Sequence, residues 1–304
     1  MLLTLLLVSF LVFLAFAVIP GDPAVHKLGT EATPESLNAL REEMGLNRPF
    51  IARYVSWLIS FVKGDMGISY SYNMPVGDMI LNKLPITLTM TVLAFLIVLI
   101  ITFPVGILCA KYTGGKVDRF IVILNQIMMS VPSFFGGIII TIIFGVVLKL
   151  FMPGGYVSYT KDFGKFLGYM VFPAIAVAIP KAAMSVKLLR SSILSEAEKD
   201  YARTAYSHGN TTGEVLIHHV LQNALIPVVT FLGMALADIF TGSIIIEQVF
   251  NIPGLGRILL SSISNRDYPV VMAILVLLAS AVIIINFFVD IIYGVIDPRV
   301  SEDD

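Results

Sequence analysis

Charged residues are scarce in this chain. Only 13% of its 304 residues are Asp, Glu, Lys or Arg, whereas 57% are hydrophobic. Soluble globular domains normally carry about 25% charged residues, so the composition argues against a water-soluble protein and indicates one embedded in a lipid bilayer. The net charge of −1 provides no basic field that would attract nucleic acid.

The chain also lacks the residue patterns of an enzyme or a metal site. Its single cysteine, Cys109, lies in an apolar run and cannot form an internal disulfide, so we interpret it as a small core residue. Neither HExxH nor G-x-S-x-G occurs. His218 and His219 are adjacent and point to different helix faces, and Lys116 follows two glycines without the spacing of a P-loop. We therefore predict no catalytic residues, no metal site and no ATP site in this chain.

Long apolar runs make up most of the sequence. A helix needs about 20 apolar residues to cross a bilayer, and six runs are long enough. They are residues 1–19, 84–110, 120–148, 166–184, 224–246 and 268–296. The sequence therefore predicts an all-α polytopic membrane protein with six transmembrane helices. Prolines inside these runs, at positions 104, 132, 173, 180 and 227, should kink or end helices, which neighbouring helices in such proteins can accommodate.

The most informative polar interruption is the segment 195–223. Its pattern predicts two helices joined by one tight turn. Gly209 is placed as a left-handed cap of the first helix, and Thr211 with Glu214 three residues later forms a capping box that begins the second. The predicted face of the first helix consists of Leu194, Ala197, Tyr201 and Ala205. A short helix held at a fixed angle outside a membrane is typical of a docking element.

This segment is similar to the cytoplasmic loop of the permease subunits of ATP-binding-cassette (ABC) importers. That loop has the form E-A-A, three residues, Gly, nine residues, then I-x-L-P. Here Arg203 replaces the Glu and Gln222 replaces the Pro, and both departures resemble the peptide and nickel branch of the family. The residues that match the pattern of that branch are Asp200, Tyr201, Arg203, Thr204, Ala205, Gly209, His219, Leu221, Asn223, Ala224 and Pro227.

Shorter fragments extend the resemblance over nearly the whole chain. They lie at residues 20–23, 45–49, 64–69, 84–88, 247–250, 253–256, 265–269 and 297–299. Each fragment is weak alone, but their order and spacing are hard to reach by chance. The resemblance implies a type I ABC importer transmembrane domain. Its parts would be a first transmembrane helix (1–19), an extracytoplasmic helical loop (20–83), a five-helix permease core (84–296) that includes the coupling loop 195–223, and a cytoplasmic tail (297–304).

The resemblance also implies the partners of the chain. It implies a heterodimer with a second, homologous permease, two ATPase subunits that bind ATP and Mg, and an extracytoplasmic substrate-binding protein. A short helix at about residues 209–216 would rest in a groove of an ATPase, and we predict that Arg203 makes a charge-assisted contact there. The predicted coupling residues are Asp200, Tyr201, Arg203, Thr204, Ala205, Gly209, Thr211 and Glu214.

The loop 20–83 contains two further helical patterns. Pro34 can begin a helix that Gly45 ends, and Gly64 follows a second pattern. The two apolar stripes are Leu37, Leu40 and Met44, and then Ile51, Tyr54, Val55, Leu58 and Val62. Together the two helices would form a small cap outside the membrane, and the sequence leaves two interpretations of it. The helices pack on the membrane domain and close its outer rim, or they help to receive the binding protein.

Orientation is predicted from Lys and Arg in the short loops. With a cytoplasmic N-terminus, eight basic residues fall on the inner side and five on the outer side, which predicts that the segment 195–223 and the C-terminus are cytoplasmic. The family resemblance implies the same orientation, and it implies a multi-pass protein of a prokaryotic inner membrane. The eight are Lys111, Lys116, Arg119, Lys187, Arg190, Lys199, Arg203 and Arg299, and the five are Lys149, Lys161, Lys165, Arg257 and Arg266. Residues 15–17 resemble a signal-peptidase site, so removal of the first segment remains an alternative.

One carboxylate lies deep in the fifth span. Asp238 either lines the substrate path or forms a structural pair, for instance with Lys181 or with a partner subunit, because a charge at this depth costs about 3 kcal/mol. The resemblance implies that the fifth span lines the pathway, with Gly242, Ser243 and Glu247 in the matching run. These three residues and Asp238 are the candidates for the translocation path.

The cargo remains open between two classes. Di- and oligopeptides are the commonest cargo that the resemblance implies, and nickel or a metal chelate is the alternative within the branch. A distant alternative is an ion-coupled secondary transporter, which would not need a capped cytoplasmic helix pair or an ATPase.

Overall fold

The computed structural model describes residues 1–18, 23–28 and 33–296, and within them the chain is helical without strands. An isolated β-bridge joins Ile68 and Pro75. The predicted tail 297–304 lies outside the described residues. The helices are α1 (Leu2–Val18), α2 (Pro23–Leu28), α3 (Pro34–Glu43), α4 (Phe50–Val62), α5 (Val76–Lys111), α6 (Lys116–Ser130), α7 (Ser133–Ile140), α8 (Phe163–Ala197), α9 (Asp200–Ser207), α10 (Thr212–Glu214), α11 (Leu221–Val249), α12 (Leu255–Ser264) and α13 (Tyr268–Ile296). Two π-helical segments, Thr141–Val147 and Val215–Val220, extend α7 and join α10 to α11.

Four of the described helices are long and apolar enough to cross a bilayer. They are α5, α8, the continuous helix Thr212–Val249 and α13. The predicted span 120–148 is not one straight helix, because Lys116–Ser130 and Ser133–Val147 meet at a bend of 103°. Counted as one span, this bent pair is a fifth. The first predicted span is the apolar helix α1 of 17 residues, which is shorter than the four long helices.

The bend lies at Pro132, one of the prolines that were predicted to kink or end a helix. Val131, before Pro132, has an extended backbone (φ −88°, ψ 117°), as expected for a residue that the proline ring keeps out of the helical region. The other prolines do not end their helices: Pro173 and Pro180 lie inside α8, and Pro227 lies inside α11. Of the two predicted effects, a kink or a helix end, the helix end therefore does not occur at these three prolines.

The chain divides into two compact units. The first comprises Met1–Ile86 and Pro253–Ile283, and the second comprises Thr87–Ile252 and Ile284–Asp304.

In the first unit, α1 packs against α4 through aromatic side chains. The ring centroids of Phe13 and Trp57 lie 5.6 Å apart, and Ser9 Oγ lies 2.9 Å from the Tyr54 hydroxyl. The rings in this contact belong to Phe10, Phe13, Phe50, Tyr54 and Trp57. The contact accounts for the position of α4, since aromatic rings bury large apolar areas.

The predicted stripe on α4 was only partly right. Ile51, Val55 and Val62 are exposed, while the neighbouring aromatic face makes the contact with α1. The turns on either side were predicted correctly. Gly45 (φ +65°) follows α3 and Gly64 (φ +90°) follows α4, both in the left-handed region that glycine adopts without strain.

In the second unit, α8 and α11 pack along each other, and α6 and α7 pack on α8. Glycine permits a close approach between two of these elements. A Cβ atom on Gly137 of α7 would lie 3.1 Å from the ring of Phe250, which follows α11. Gly136 and Gly137 are adjacent in the sequence, and the close packing at Gly137 explains why glycine is present at the second of these positions.

Candidate functional site

The segment 195–223 has the predicted local structure in its first half. α8 ends at Ala197, α9 forms a separate short helix, and Gly209 takes a left-handed conformation (φ +89°). The capping box is also present. Thr211 N donates to Glu214 Oε2 over 2.7 Å, and Glu214 N donates to Thr211 Oγ1 over 3.4 Å. These features depend on neighbouring residues only, which is why the sequence was sufficient to predict them.

The second predicted short helix is not separate. The helix that Thr211 caps continues from Thr212 through the π-helical segment and α11 as far as Val249. No glycine or proline interrupts the sequence between Glu214 and Pro227, so nothing ends the helix there. The predicted helix at about residues 209–216 therefore begins at the predicted cap but is not short, and the separate short helix of the loop is α9.

α9 packs on the end of α8 and on the π-helical segment. Ala202 and Ala205 form its buried face. Tyr201 was predicted on that face because the helical register of α8 was extended into α9. The helix is interrupted at Glu198 and Lys199, however, and a new register begins in α9. The small alanines allow α9 to lie close to the helices beneath it.

A polar cluster that the sequence analysis did not identify holds the start of α9. The Tyr201 hydroxyl donates to Glu196 Oε2 over 2.7 Å, and Lys199 Nζ lies 2.6 Å from Glu196 Oε1. Burial, together with the nearby Glu196 carboxylate, raises the pKa of Tyr201. The hydrogen bond to Glu196 raises the pKa of Lys199. Both side chains therefore keep their protons at neutral pH and tie α9 to the end of α8.

The outer face of α9 is polar and exposed. The side chain of Arg203 is 73% exposed, and its Nη1 atom lies 3.9 Å from Asp200 Oδ1. Thr204 bonds within the helix, donating to the Asp200 carbonyl over 2.9 Å. An exposed pair of this kind adds little stability, so the guanidinium of Arg203 is available to a partner.

A second cluster fixes the loop between α5 and α6. Arg190 of α8 binds Asp118 through two bonds, Nε–Oδ1 at 2.7 Å and Nη2–Oδ2 at 2.8 Å. Thr113 Oγ1 accepts from Arg190 over 3.1 Å, and Gly114 N donates to Asp118 over 2.9 Å. The Asp118 side chain is buried. From the sequence, Arg190 was counted only as a basic residue of the cytoplasmic side, because no local pattern links two residues as distant in the chain as Asp118 and Arg190.

The carboxylate of Asp238 lies on an exposed face of α11. It pairs with Lys181 of α8 at 2.5 Å (Nζ to Oδ2), and its side chain is 61% exposed against 24% for Lys181. The pairing was one of the two alternatives that the sequence left open, and the structure contains it. The exposed stripe that includes Asp238 consists of Met234, Asp238, Thr241, Ile245 and Gln248. Thr241 and Gln248 were not among the predicted path residues.

The other predicted path residues lie on two sides of the helix. Gly242 has open space where a Cβ would be, whereas Ser243 and Glu247 are fully buried. Ser243 Oγ donates to the Phe240 carbonyl over 2.6 Å, and Thr87 Oγ1 donates to Glu247 Oε1 over 2.5 Å. The structure therefore groups Gly242 with Asp238, and it places Ser243 and Glu247 in the interior of the second unit.

Comparison with known proteins places these features in a family. Residues 102–302 match the model of the binding-protein-dependent transport system inner membrane component, and residues 1–91 match the N-terminal model of the corresponding membrane component. The chain belongs to this family. It is therefore the membrane-embedded component of a transport system, here called the permease.

Relatives match over almost the full length of the permease. It is 33% identical to the probable peptide ABC transporter permease protein y4tP of Sinorhizobium fredii, over 97% of this chain and 94% of that protein. It is 35% identical to a putative peptide transport system permease protein of Brucella abortus, over 98% and 95%. It is 34% identical to the oligopeptide transport system permease protein AppB of Bacillus subtilis, over 98% and 95%.

Proposed function

We propose that the permease forms half of the translocation pathway of an ATP-driven importer for di- and oligopeptides. The family assignment and the cargo in the names of three relatives support this function. The observation that carries the coupling role is α9. This short polar helix is fixed by Glu196 and Tyr201 and exposes Arg203 on its outer face.

The proposed assembly contains a second, homologous permease, two ATPase subunits and an extracytoplasmic substrate-binding protein. ATP and Mg are bound by the ATPases. In the membrane the permease has six spans, counting α1 and the bent pair as one span each. The 17 residues of α1 fall at the lower end of the range of about 17–25 residues for a transmembrane helix. The segment 20–83 is extracytoplasmic, and α9 and the C-terminus are cytoplasmic, in the inner membrane of a prokaryote.

Coupling follows from what α9 contacts. α9 rests on the end of α8 and on the π-helical segment that leads into α11. A groove of an ATPase receives its outer face, with Arg203 at the contact. When the ATPases close on ATP, a push on α9 is transmitted to α8 and α11. Because ATP and the substrate-loaded binding protein prefer different states of the membrane domain, both bias the same two-state equilibrium between inward and outward access.

The Asp238 face of α11 is the proposed lining of the path. An exposed carboxylate in the middle of a long apolar helix would be costly against lipid tails, even beside Lys181. Water or a polar partner surface on that side removes the cost. Thr241 and Gln248 on the same face provide further polar groups along the helix.

Gentle affinity purification of the tagged permease from its native membrane tests the assembly. We expect two ATPases, a second permease and a binding protein to copurify, with a peptide held by the binding protein. A metal chelate in the binding protein would instead indicate the alternative cargo, nickel or a metal chelate. A lone chain or a homo-oligomer that takes up solute without ATPases would contradict the proposal and favour an ion-coupled transporter.

A further inference from the structure

A cavity in the first unit is lined by two arginines. Its volume is about 290 Å³, and it lies among α1, the turn after α3, α4, the loop that follows α4 and the start of α13. Its lining includes Arg48, Arg53, Trp57, Asp65 and Tyr70. None of these five residues was singled out from the sequence, although docking of the binding protein was one of two interpretations of the loop that contains them.

The two guanidinium groups in this cavity form no ion pair with a carboxylate of the described residues. Among the described residues, no carboxylate lies within 4.0 Å of Arg48 or Arg53. Asp65 lines the same cavity, but its Oδ1 atom accepts from Gly67 N over 3.0 Å. The cavity therefore has two cationic groups without bonded counter-charges, which favours an anionic ligand.

Neighbouring groups hold these cationic side chains in place. The Cζ atom of Arg53 lies 6.0 Å from the centroid of the Phe13 ring, within the range of a cation–π contact. The side chain of Arg48 passes beside the turn after α3, where a Cβ atom on Gly45 would lie at the ordinary van der Waals distance of 3.7 Å from Arg48 Cδ. Such support lowers the entropy that the side chains lose when a ligand binds.

Tyr70 adds a neutral hydroxyl to the cavity. Burial, with a contribution from the Asp267 carboxylate, raises the pKa of Tyr70 to about 12, so the phenol keeps its proton at any physiological pH. It can donate a hydrogen bond to the same anion that the arginines attract. The arrangement suits a carboxylate, which accepts several hydrogen bonds on two oxygens.

We propose that this cavity receives an acidic side chain of the substrate-binding protein when that protein docks. The proposal rests on the proposed function, in which the segment 20–83 faces the side where the binding protein arrives. At about 290 Å³ the cavity is smaller than most small-molecule pockets, which measure about 300–1,000 Å³, but one or two side chains fit. Its Arg, Trp and Tyr residues are the types that dominate the binding energy of protein interfaces.

The test measures docking on the complete transporter. The assembled complex is placed in nanodiscs of zwitterionic lipid, and the dissociation constant of its peptide-loaded binding protein is measured at several salt concentrations. The variants are Arg48→Gln, Arg53→Gln and their combination. Lys63→Gln is the matched control, because Lys63 follows the same helix α4 and is exposed without lining the cavity.

We expect the double variant to weaken docking by about tenfold or more, as found when one partner of a close interfacial charge pair is removed. Its affinity should also fall less steeply with salt, because fewer charges attract the partner. Lys63→Gln should change the affinity less than about twofold. Arg53→Lys, which keeps the charge, should restore part of the loss, and this rescue separates lost attraction from a damaged fold.

Unchanged affinity and salt dependence in the double variant would overturn the proposal. A loss that appears with a free peptide but not with a C-terminally amidated one would also overturn it, because the carboxylate would then belong to the peptide. So would a loss that appears only when anionic lipid is present, since the ligand would be a headgroup. If wild-type complex and binding protein do not associate at all, the proposed function fails together with this inference. A loss confined to the arginine variants supports both.

Discussion

The buried carboxylate of Asp267 accepts a hydrogen bond from Ser69 Oγ, 198 residues earlier in the chain, over 2.5 Å. The same carboxylate accepts from the backbone N–H groups of Tyr70 and Ser71 over 2.9 and 3.2 Å. Asp267 thus fixes the loop after α4 to the connection between α12 and α13. Two of the sequence fragments that resemble the family, 64–69 and 265–269, meet at this contact within the first unit.

Replacing Asp267 by Ala should destabilise the first unit strongly. The change leaves the buried Ser69 hydroxyl, the half-buried Tyr70 N–H and the exposed Ser71 N–H without their acceptor, and each unsatisfied buried group costs about 1–3 kcal/mol. Ser69→Ala removes the donor to Asp267 and the acceptor of the Tyr72 N–H, and it should cost less than Asp267→Ala, about 1 kcal/mol for each bond lost. Thermal unfolding in detergent, followed by the fluorescence of Trp57, measures both, because Trp57 is the single tryptophan and lies in this unit. Equal midpoints for Asp267→Ala and wild type would contradict the assigned role.

Breaking the Asp118–Arg190 pair should destabilise the second unit. Removing one partner leaves the other charge partly buried, and such changes cost about 3 kcal/mol or more. We expect Asp118→Ala and Arg190→Ala each to lower the free energy of unfolding by about that amount, and the double variant to lose clearly less than the sum. The three variants form a double-mutant cycle that can be measured by thermal unfolding. Strict additivity would show that the pair contributes no coupling.

Reversing the charge of Arg203 should uncouple ATP hydrolysis from transport. Because Arg203 is mostly exposed and only loosely paired, Arg203→Glu should leave the thermal stability of the permease unchanged. Its effect should appear as weak copurification of the ATPases, or as hydrolysis without peptide uptake. Lys161→Glu, another exposed basic residue but one predicted on the outer side, is the control. Normal uptake by Arg203→Glu would remove Arg203 from the coupling contact.

Cysteine accessibility tests whether the Asp238 face lines a watery path. The chain has one native cysteine, and Cys109 is buried, so a Cys109→Ser background permits single introduced cysteines. Thr241→Cys and Gln248→Cys should react with a membrane-impermeant thiol reagent, at rates that ATP changes. Ser243→Cys, on the buried side of the same helix, should react at least about tenfold more slowly, because the thiolate must be solvated to react. Equal rates at all three positions would contradict the assigned face.

The features that sequence could predict are those that neighbouring residues determine. The Thr211–Glu214 capping box, the left-handed Gly209 and the long apolar helices were all predicted from residues close to one another. The Asp118–Arg190 and Ser69–Asp267 pairs were missed, because each joins distant elements that no local pattern connects. The free-standing second helix of the coupling loop was predicted wrongly. Its cap marks a true helix start, but no glycine or proline ends the helix before α11, so the helix continues and packs on α8.

The registers of α4 and α9 show the same limit. Two apolar stripes on α4 both have helical spacing, and only the position of α1 decides that the aromatic stripe makes the contact. On α9, the break at Glu198 and Lys199 shifts the buried face from Tyr201 to Ala202. The family resemblance, in contrast, depends on residue identity rather than on register, and the comparisons confirmed it over nearly the whole chain.

The most direct measurement is peptide uptake into proteoliposomes that contain the permease, its homologous partner and the two ATPases, with the binding protein added outside. We predict that radiolabelled peptide accumulates only when ATP is inside and binding protein is outside, and that Arg203→Glu abolishes accumulation without preventing membrane insertion. Accumulation that needs a proton or ion gradient, persists with the permease alone and ignores ATP would contradict the account.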